Sequence, residues 1–115
     1  MDNMTFRLKK GESGAVLTAT LKSEGAAVDL TTFSSVRVIA KKNNGTAVLN
    51  EACTVVDADA GIVSYAFTPT SSNITKGEYL LEFKATDGSG DVHYFPKGEG
   101  DNRNYGKLIV SDPLG

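Results

Sequence analysis

The feature that most constrains this chain is a two-residue rhythm that keeps restarting. Apolar and polar residues alternate over short runs, and each run ends in Gly, Asn, Asp, Ser or Pro. Alternation of this kind puts every second side chain on one face of a pleated strand. No stretch repeats its apolar residues at helical spacing over the length of a helix. Such a chain can bury its apolar faces only by packing one sheet against another.

The runs fall at residues 5–8, 15–21, 35–41, 46–50, 53–56, 62–68, 77–85, 91–95 and 105–110. Within them Leu17 and Leu21, Val36 and Val38, Tyr65 and Phe67, and Tyr79, Leu81 and Phe83 share inward faces and form the expected core. Asn44-Gly45 reads as a tight hairpin, because Asn-Gly supplies the positive φ angles that such a turn needs. Pro69 closes the run at 62–68, since it cannot donate to a central ladder. Residues 70–76 read as a polar crossing with room for one helical turn, and residues 96–104 as a Gly-rich loop. Short strands separated by turn signals are the pattern of an immunoglobulin-like β-sandwich. The expectation is an all-β sandwich of about seven to eight antiparallel strands, forming one domain over 1–115.

Composition removes several functions. Twelve basic residues stand against fourteen acidic ones, giving a net charge of −2. That balance offers no basic surplus for nucleic acid. No apolar stretch approaches the ~20 residues of a membrane span. The N-terminus lacks a basic segment followed by an apolar one, so the expectation is synthesis without a secretion signal.

The chemistry-bearing residues are few. Cys53, the single cysteine, sits in a strand-like run and reads as a small buried hydrophobe rather than a reactive thiol. One histidine, His93, cannot build a His-based zinc site. No Gly-x-Ser-x-Gly elbow frames a nucleophile for it. Asp57-x-Asp59-x-Gly61 begins like a calcium loop, but Gly61 and Thr68 occupy positions where the EF-hand needs oxygen ligands. Asp87 and Asp91 flank a Gly-Ser-Gly turn, where Asp bonds its own backbone. Glu78 and Glu82 alternate out of a strand face and do not oppose each other across a substrate. The reading is of no catalytic residues, no cofactor and no metal.

An ordered series of residues carries a resemblance. It comprises Phe6 and Leu8, Gly11, Leu17 and Leu21, Val28-Asp29-Leu30-Thr31, Val36 and Val38, Gly45 with Val48-Leu49, and Cys53 with Val55. It continues through Asp57, Gly61, Val63, Tyr65 and Phe67-Thr68, then Gly77-Glu78-Tyr79, Glu82-Phe83, Phe95-Pro96, Leu108 and Val110. With these spacings the chain resembles, over nearly its whole length, the N-terminal domain of phage baseplate upper proteins. That is an immunoglobulin-like family of tail and baseplate components, especially in phages of Gram-positive hosts. The loop at 98–104 is longer than the family pattern. The resemblance implies a non-enzymatic virion structural protein, made in the host cytoplasm and built into the particle. Its partners would be other tail, baseplate or head proteins in a symmetric assembly.

The alternative is an immunoglobulin-like adhesion module that binds carbohydrate, such as a host-surface glycan. Sugar stacking needs exposed aromatics; there is no Trp, and Tyr94 and Tyr105 are the available platforms. For assembly contacts, the expected interface is the outward face of the strands at 35–41 and 77–85. Ile39 and Leu80 should face solvent there, joined by Ile109, with the loop bearing Lys97 and Arg103, and Tyr105 beyond it, at the rim. The plainer reading of these residues is that single exposed apolar side chains are ordinary on a protein surface.

Overall fold

The computed structural model describes residues 5–23, 26–42, 45–95 and 106–113. Lys97, Arg103 and Tyr105 lie outside the described residues.

Among the described residues, nine strands of four or more residues form. They are β1 (Thr5–Lys9), β2 (Val16–Thr20), β5 (Phe33–Lys41), β6 (Ala47–Ala52), β7 (Thr54–Asp57), β8 (Ile62–Ala66), β9 (Gly77–Asp87), β10 (Val92–Phe95) and β11 (Gly106–Ser111). A two-residue pair, β3 (Lys22–Ser23) and β4 (Ala26–Ala27), makes a small separate hairpin. It escapes periodicity analysis because two residues carry no period. No helix forms at 70–76, but the crossing opens on a single α-type turn, with Ser72 N–H donating to the Thr68 carbonyl, followed by a tighter bond from Asn73 N–H to the Thr70 carbonyl.

The larger sheet runs in the order β1-β11-β9-β5-β6. Because β5 pairs along one edge of β9 from Leu80 to Asp87, β10 and β11 must share the other edge. They lie in line there, with Phe95 opposite Phe83 and Gly106 opposite Leu81. The smaller sheet is β2-β8-β7. In immunoglobulin lettering these sheets correspond to G-F-C-C′ facing B-E-D.

The expected all-antiparallel arrangement needs one correction. β1 pairs parallel with β11, from Thr5 opposite Lys107 to Lys9 opposite Ser111. Alternation says which face of β1 is buried, but not which neighbour supplies its ladder. The turn after it, closed by Lys10 N–H to the Ser111 carbonyl and by Glu12 N–H to the Lys9 carbonyl, then carries the chain to β2 in the other sheet.

The core lies between the sheets. Leu17, Leu21, Val36, Val38, Phe67, Tyr79, Leu81 and Phe83 are buried, as their alternation predicts. Tyr65 is only half-buried: its ring meets Phe67 edge-on at 4.9 Å, but its other side borders an open cleft. Antibody domains pair a cysteine two residues after the Tyr of strand F with one in strand B. That position is Leu81 here, so packing holds the two sheets together where those domains use a disulfide.

Two local devices fix the ends. Tyr79 enters β9 and donates its hydroxyl to the Thr75 carbonyl at 2.5 Å, the tyrosine corner of immunoglobulin-like domains. Ser72, fully buried in an otherwise polar crossing, sets its hydroxyl between the carbonyls of Glu12 and Thr68. The hairpin after β5 turns over residues 42–45 as expected, but without the positive φ expected of Gly45; Asn43 and Asn44 lie outside the described residues. Gly45 N–H donates to the Lys42 carbonyl, which makes Gly45 the last residue of the turn.

Candidate functional site

The outward face of the larger sheet is the candidate interface. Its residues follow from the pleat: in β9 Tyr79, Leu81, Phe83 and Ala85 are buried, so Glu78, Leu80, Glu82, Lys84 and Thr86 point the other way. The same logic turns Arg37, Ile39 and Lys41 of β5, Lys107 and Ile109 of β11, Arg7 and Lys9 of β1, and Val92 and Tyr94 of β10 onto this face.

Register then sets the neighbours. Ile39 lies opposite Glu82, and Leu80 lies opposite Lys41 on one side and Lys107 on the other. Ile39 and Leu80 are therefore diagonal neighbours, as are Leu80 and Ile109, which faces Glu78. Diagonal partners stand about 7–8 Å apart, within reach of long side chains. The three apolar residues form one band across β5, β9 and β11.

They do not face solvent freely, as the sequence suggested. Ile39, Leu80 and Ile109 are all half-buried. The rows beside them carry long side chains, Lys41, Lys84, Arg37 and Lys107, which strand register sets next to the band. Arg37 is fixed across the sheet: its Nε donates to Asn50 Oδ1 and its second guanidinium nitrogen to the Asn50 carbonyl, both at 2.7 Å. Glu82 sits in the middle of the band, where burial pushes its carboxyl up against the opposing pull of Lys41. Val92 and Tyr94 are large apolar side chains well exposed on this face, each 44% exposed.

The face also concentrates charge. Arg7, Lys9, Arg37, Lys41, Lys84 and Lys107 outnumber Glu78 and Glu82, in a chain that is acidic overall. Among the described residues this face makes one ion pair, Lys107 with Glu78 at 3.8 Å, and both partners are solvent-exposed. The outward side chains of β2 and β8, by contrast, carry no charge: Val16, Thr18 and Thr20 beside Ile62, Ser64 and Ala66.

The remaining candidates take structural places. Cys53 joins β6 to β7, packs against the core, and donates its N–H to the Val36 carbonyl. Burial pushes its thiol up to about 11, far from the thiolate a reactive cysteine needs. His93 meets Asp87, Nε2 to Oδ2, at 3.1 Å, and lies edge-on to Phe33 and parallel to Phe95. Asp87 also accepts the N–H groups of Ser89 and Asp91, so it organises the turn between β9 and β10. The hydrogen bond from His93, with those two N–H groups, holds its carboxyl below the usual range. Asp57 takes the N–H of Ala60 and Asp29 the N–H of Thr31, both as turn residues. Among the described residues, no three His, Cys, Asp or Glu side chains cluster as metal ligands would.

A cleft of about 280 Å³ opens where β6 passes the end of β8. Tyr65 forms its apolar wall, while Asn50, Thr68, Ser71 and Asn73 supply hydroxyls and amides. Glu51 is its one carboxylate. Sequence alone could not find this feature, because it arises where β7 stops short and leaves the end of β8 uncovered.

No protein-family model matches the chain, and no curated protein matches it. Among solved structures, it is similar to the crystal structure of CopC from Methylosinus trichosporium OB3b. The TM-score is 0.50 and the identity 11%, over 98% of this chain and 88% of that one. A likeness at that identity speaks to the fold, and it agrees with the strand order above: the chain is an immunoglobulin-like β-sandwich.

Proposed function

We propose that this chain is a non-enzymatic structural module of a phage virion, held in a tail, baseplate or head assembly through the outward face of its larger sheet. The observation that carries the reading is the design of that face. An apolar band, Ile39, Leu80 and Ile109, runs diagonally across three strands inside a frame of cations. Protein interfaces combine an apolar centre with a polar rim in this way. The surplus of Lys and Arg matches a partner surface that is apolar at its centre and acidic at its margin. The virion setting rests on the resemblance, across nearly the whole chain, to the N-terminal domain of phage baseplate upper proteins.

The test is localisation in the particle. An antibody against the chain should label purified virions of the phage that encodes it, at a fixed copy number per particle. Virions that lack the chain would overturn the proposal.

A second reading is supported by Tyr94, an exposed aromatic beside Lys84 on the same sheet. Stacking on a sugar would make the chain a glycan-binding module. Glycan binding that Tyr94→Ala abolishes, with no chain in the virion, would favour it.

A further inference from the structure

Among the described residues, every edge of the two main sheets is guarded except one. The edge strand β1 carries Arg7 and Lys9, β6 carries Glu51, β7 carries Asp57 and a bulge, and β10 is four residues long with His93 in it. Charges, bulges and short length are how proteins stop edges from pairing with other chains. β2 has none of these: Val16-Leu17-Thr18-Ala19-Thr20 contains no charge, no Gly and no Pro. Its one neighbour is β8. The place beside it, which strand A fills in many immunoglobulin domains, is empty of described residues because β1 pairs in the other sheet.

The backbone direction on this edge is determined. Phe67 N–H donates to the Ala15 carbonyl, and Leu21 N–H donates to the Gly61 carbonyl. Odd-numbered residues of β2 thus turn their N–H and C=O towards β8. In an antiparallel ladder the intervening residues turn theirs away. Val16, Thr18 and Thr20 therefore present three N–H and three C=O groups on the open edge, with no hydrogen-bond partner among the described residues.

We infer that this edge pairs with the same edge of a second copy, antiparallel and centred on Thr18. The pattern is self-complementary. With Thr18 opposite Thr18 of the second copy, Val16 falls opposite Thr20 and Thr20 opposite Val16. Each outward N–H then meets an outward C=O, and all six groups of each copy are satisfied. The pairing is isologous and closes as a two-fold dimer. Thr opposite Thr is a favourable cross-strand pair, and no like charges meet along the strand. One residue pair further out, Lys22 falls opposite Gly14 of the second copy, in a turn whose charged side chains, Lys10 and Glu12, balance, so no net like charge faces Lys22. Gly14, at φ +81°, ends the strand there and limits the pairing to β2. The two small sheets would merge into one continuous sheet.

Thr18 is exposed, and its N–H has no partner among the described residues, so a polar replacement tests the contact without disturbing the core. Wild-type chain, Thr18→Lys, Thr18→Glu, and an equimolar mixture of the two variants would be compared by sedimentation velocity from about 10 μM to 1 mM, the range in which a weak contact is populated. The wild type is expected to shift from monomer towards dimer with concentration. Each variant alone places like charges face to face and should dissociate at least tenfold more readily, with its thermal melt as a monomer unchanged. Mixing them places Lys opposite Glu and should restore the dimer. Three results would overturn the inference: a wild type that stays monomeric throughout, a Thr18→Lys chain that associates as well as wild type, or a mixture that fails to recover. None of these bears on whether the chain is present in virions, so this inference and the proposed function stand or fall separately.

Discussion

Gly61→Ala should destabilise the domain far more than a surface glycine replacement, and the size of the effect can be worked out from its surroundings. Gly61 lies in the turn between β7 and β8 at φ +72°. An L-residue in that left-handed region costs about 1–2 kcal/mol. A Cβ there would also come within 2.5 Å of the Val28 carbonyl oxygen and 3.1 Å of the Leu21 carbonyl oxygen. Both obstacles are backbone, so no rotamer change relieves them. The chain entering from β4 must move, and two bonds depend on its position: Val28 N–H to the Leu21 carbonyl at 2.9 Å, and Leu21 N–H to the Gly61 carbonyl at 2.8 Å. Each is worth about 0.5–1.5 kcal/mol net. Together the terms give a loss of about 2–5 kcal/mol, a large part of the ~5–15 kcal/mol a domain possesses. Gly14→Ala is the internal control. Gly14 sits at φ +81° with nothing within 4 Å of the added Cβ, so it reports the backbone term alone. Urea unfolding of the three proteins separates the contributions, with an unchanged slope confirming a common transition. If Gly61→Ala costs no more than Gly14→Ala, the close approach of Val28 to this turn is wrong.

Three further outcomes follow from the core and the turn beyond β9. Phe83→Ala removes one of the largest fully buried side chains and should cost about 3–5 kcal/mol; an unmoved unfolding midpoint would contradict the assignment of the buried face. Tyr79→Phe removes the bond to the Thr75 carbonyl, which lies on an exposed residue that water can reach, so the loss should be about 1 kcal/mol and no more. Asp87 has its carboxyl held below the usual range, chiefly by the hydrogen bond from His93. A depressed folded-state pKa means its stabilisation is complete above the unfolded value of about 3.9 and is lost as pH falls through the folded one. Wild type should therefore lose stability on acidification through that window more steeply than Asp87→Asn, and parallel curves would count against the pairing.

Much of this fold can be read directly from residue order, because burial in a sandwich has a period of two. The inward series in β5 and β9 needs only alternation to identify it. The tyrosine corner is visible too, since Gly77-Glu78-Tyr79 places a Tyr where the chain enters its longest strand. Partner choice is less legible. β1 could have joined either sheet with the same face buried, and its parallel ladder with β11 depends on contacts more than ninety residues away in sequence. Ser72 hides in a run of polar residues, and its burial follows from the approach of the Gly11–Gly14 turn, where Gly11 N–H donates to the Ser72 carbonyl.

The candidate interface shows the same division. Alternation put Ile39, Leu80 and Ile109 on the outward face, and register makes them one band. Their half-burial was not legible, because it depends on which strands lie alongside, and alternation within one strand does not give that. The concentration of cations was equally hidden. In sequence Arg7, Arg37, Lys84 and Lys107 are scattered, and only the strand order brings them to one surface.

The most direct test of the account is to replace the centre of that band and ask whether the particle still takes up the chain. Ile39→Lys with Leu80→Lys leaves the buried face of both strands untouched, so the isolated domain should still unfold in one cooperative transition. Virions assembled with this double variant should contain less than about a tenth of the wild-type copy number, the effect of losing more than about 1.4 kcal/mol of contact energy. Incorporation at the wild-type level, with the variant folded, would show that the outward face of the larger sheet is not what holds this protein in place.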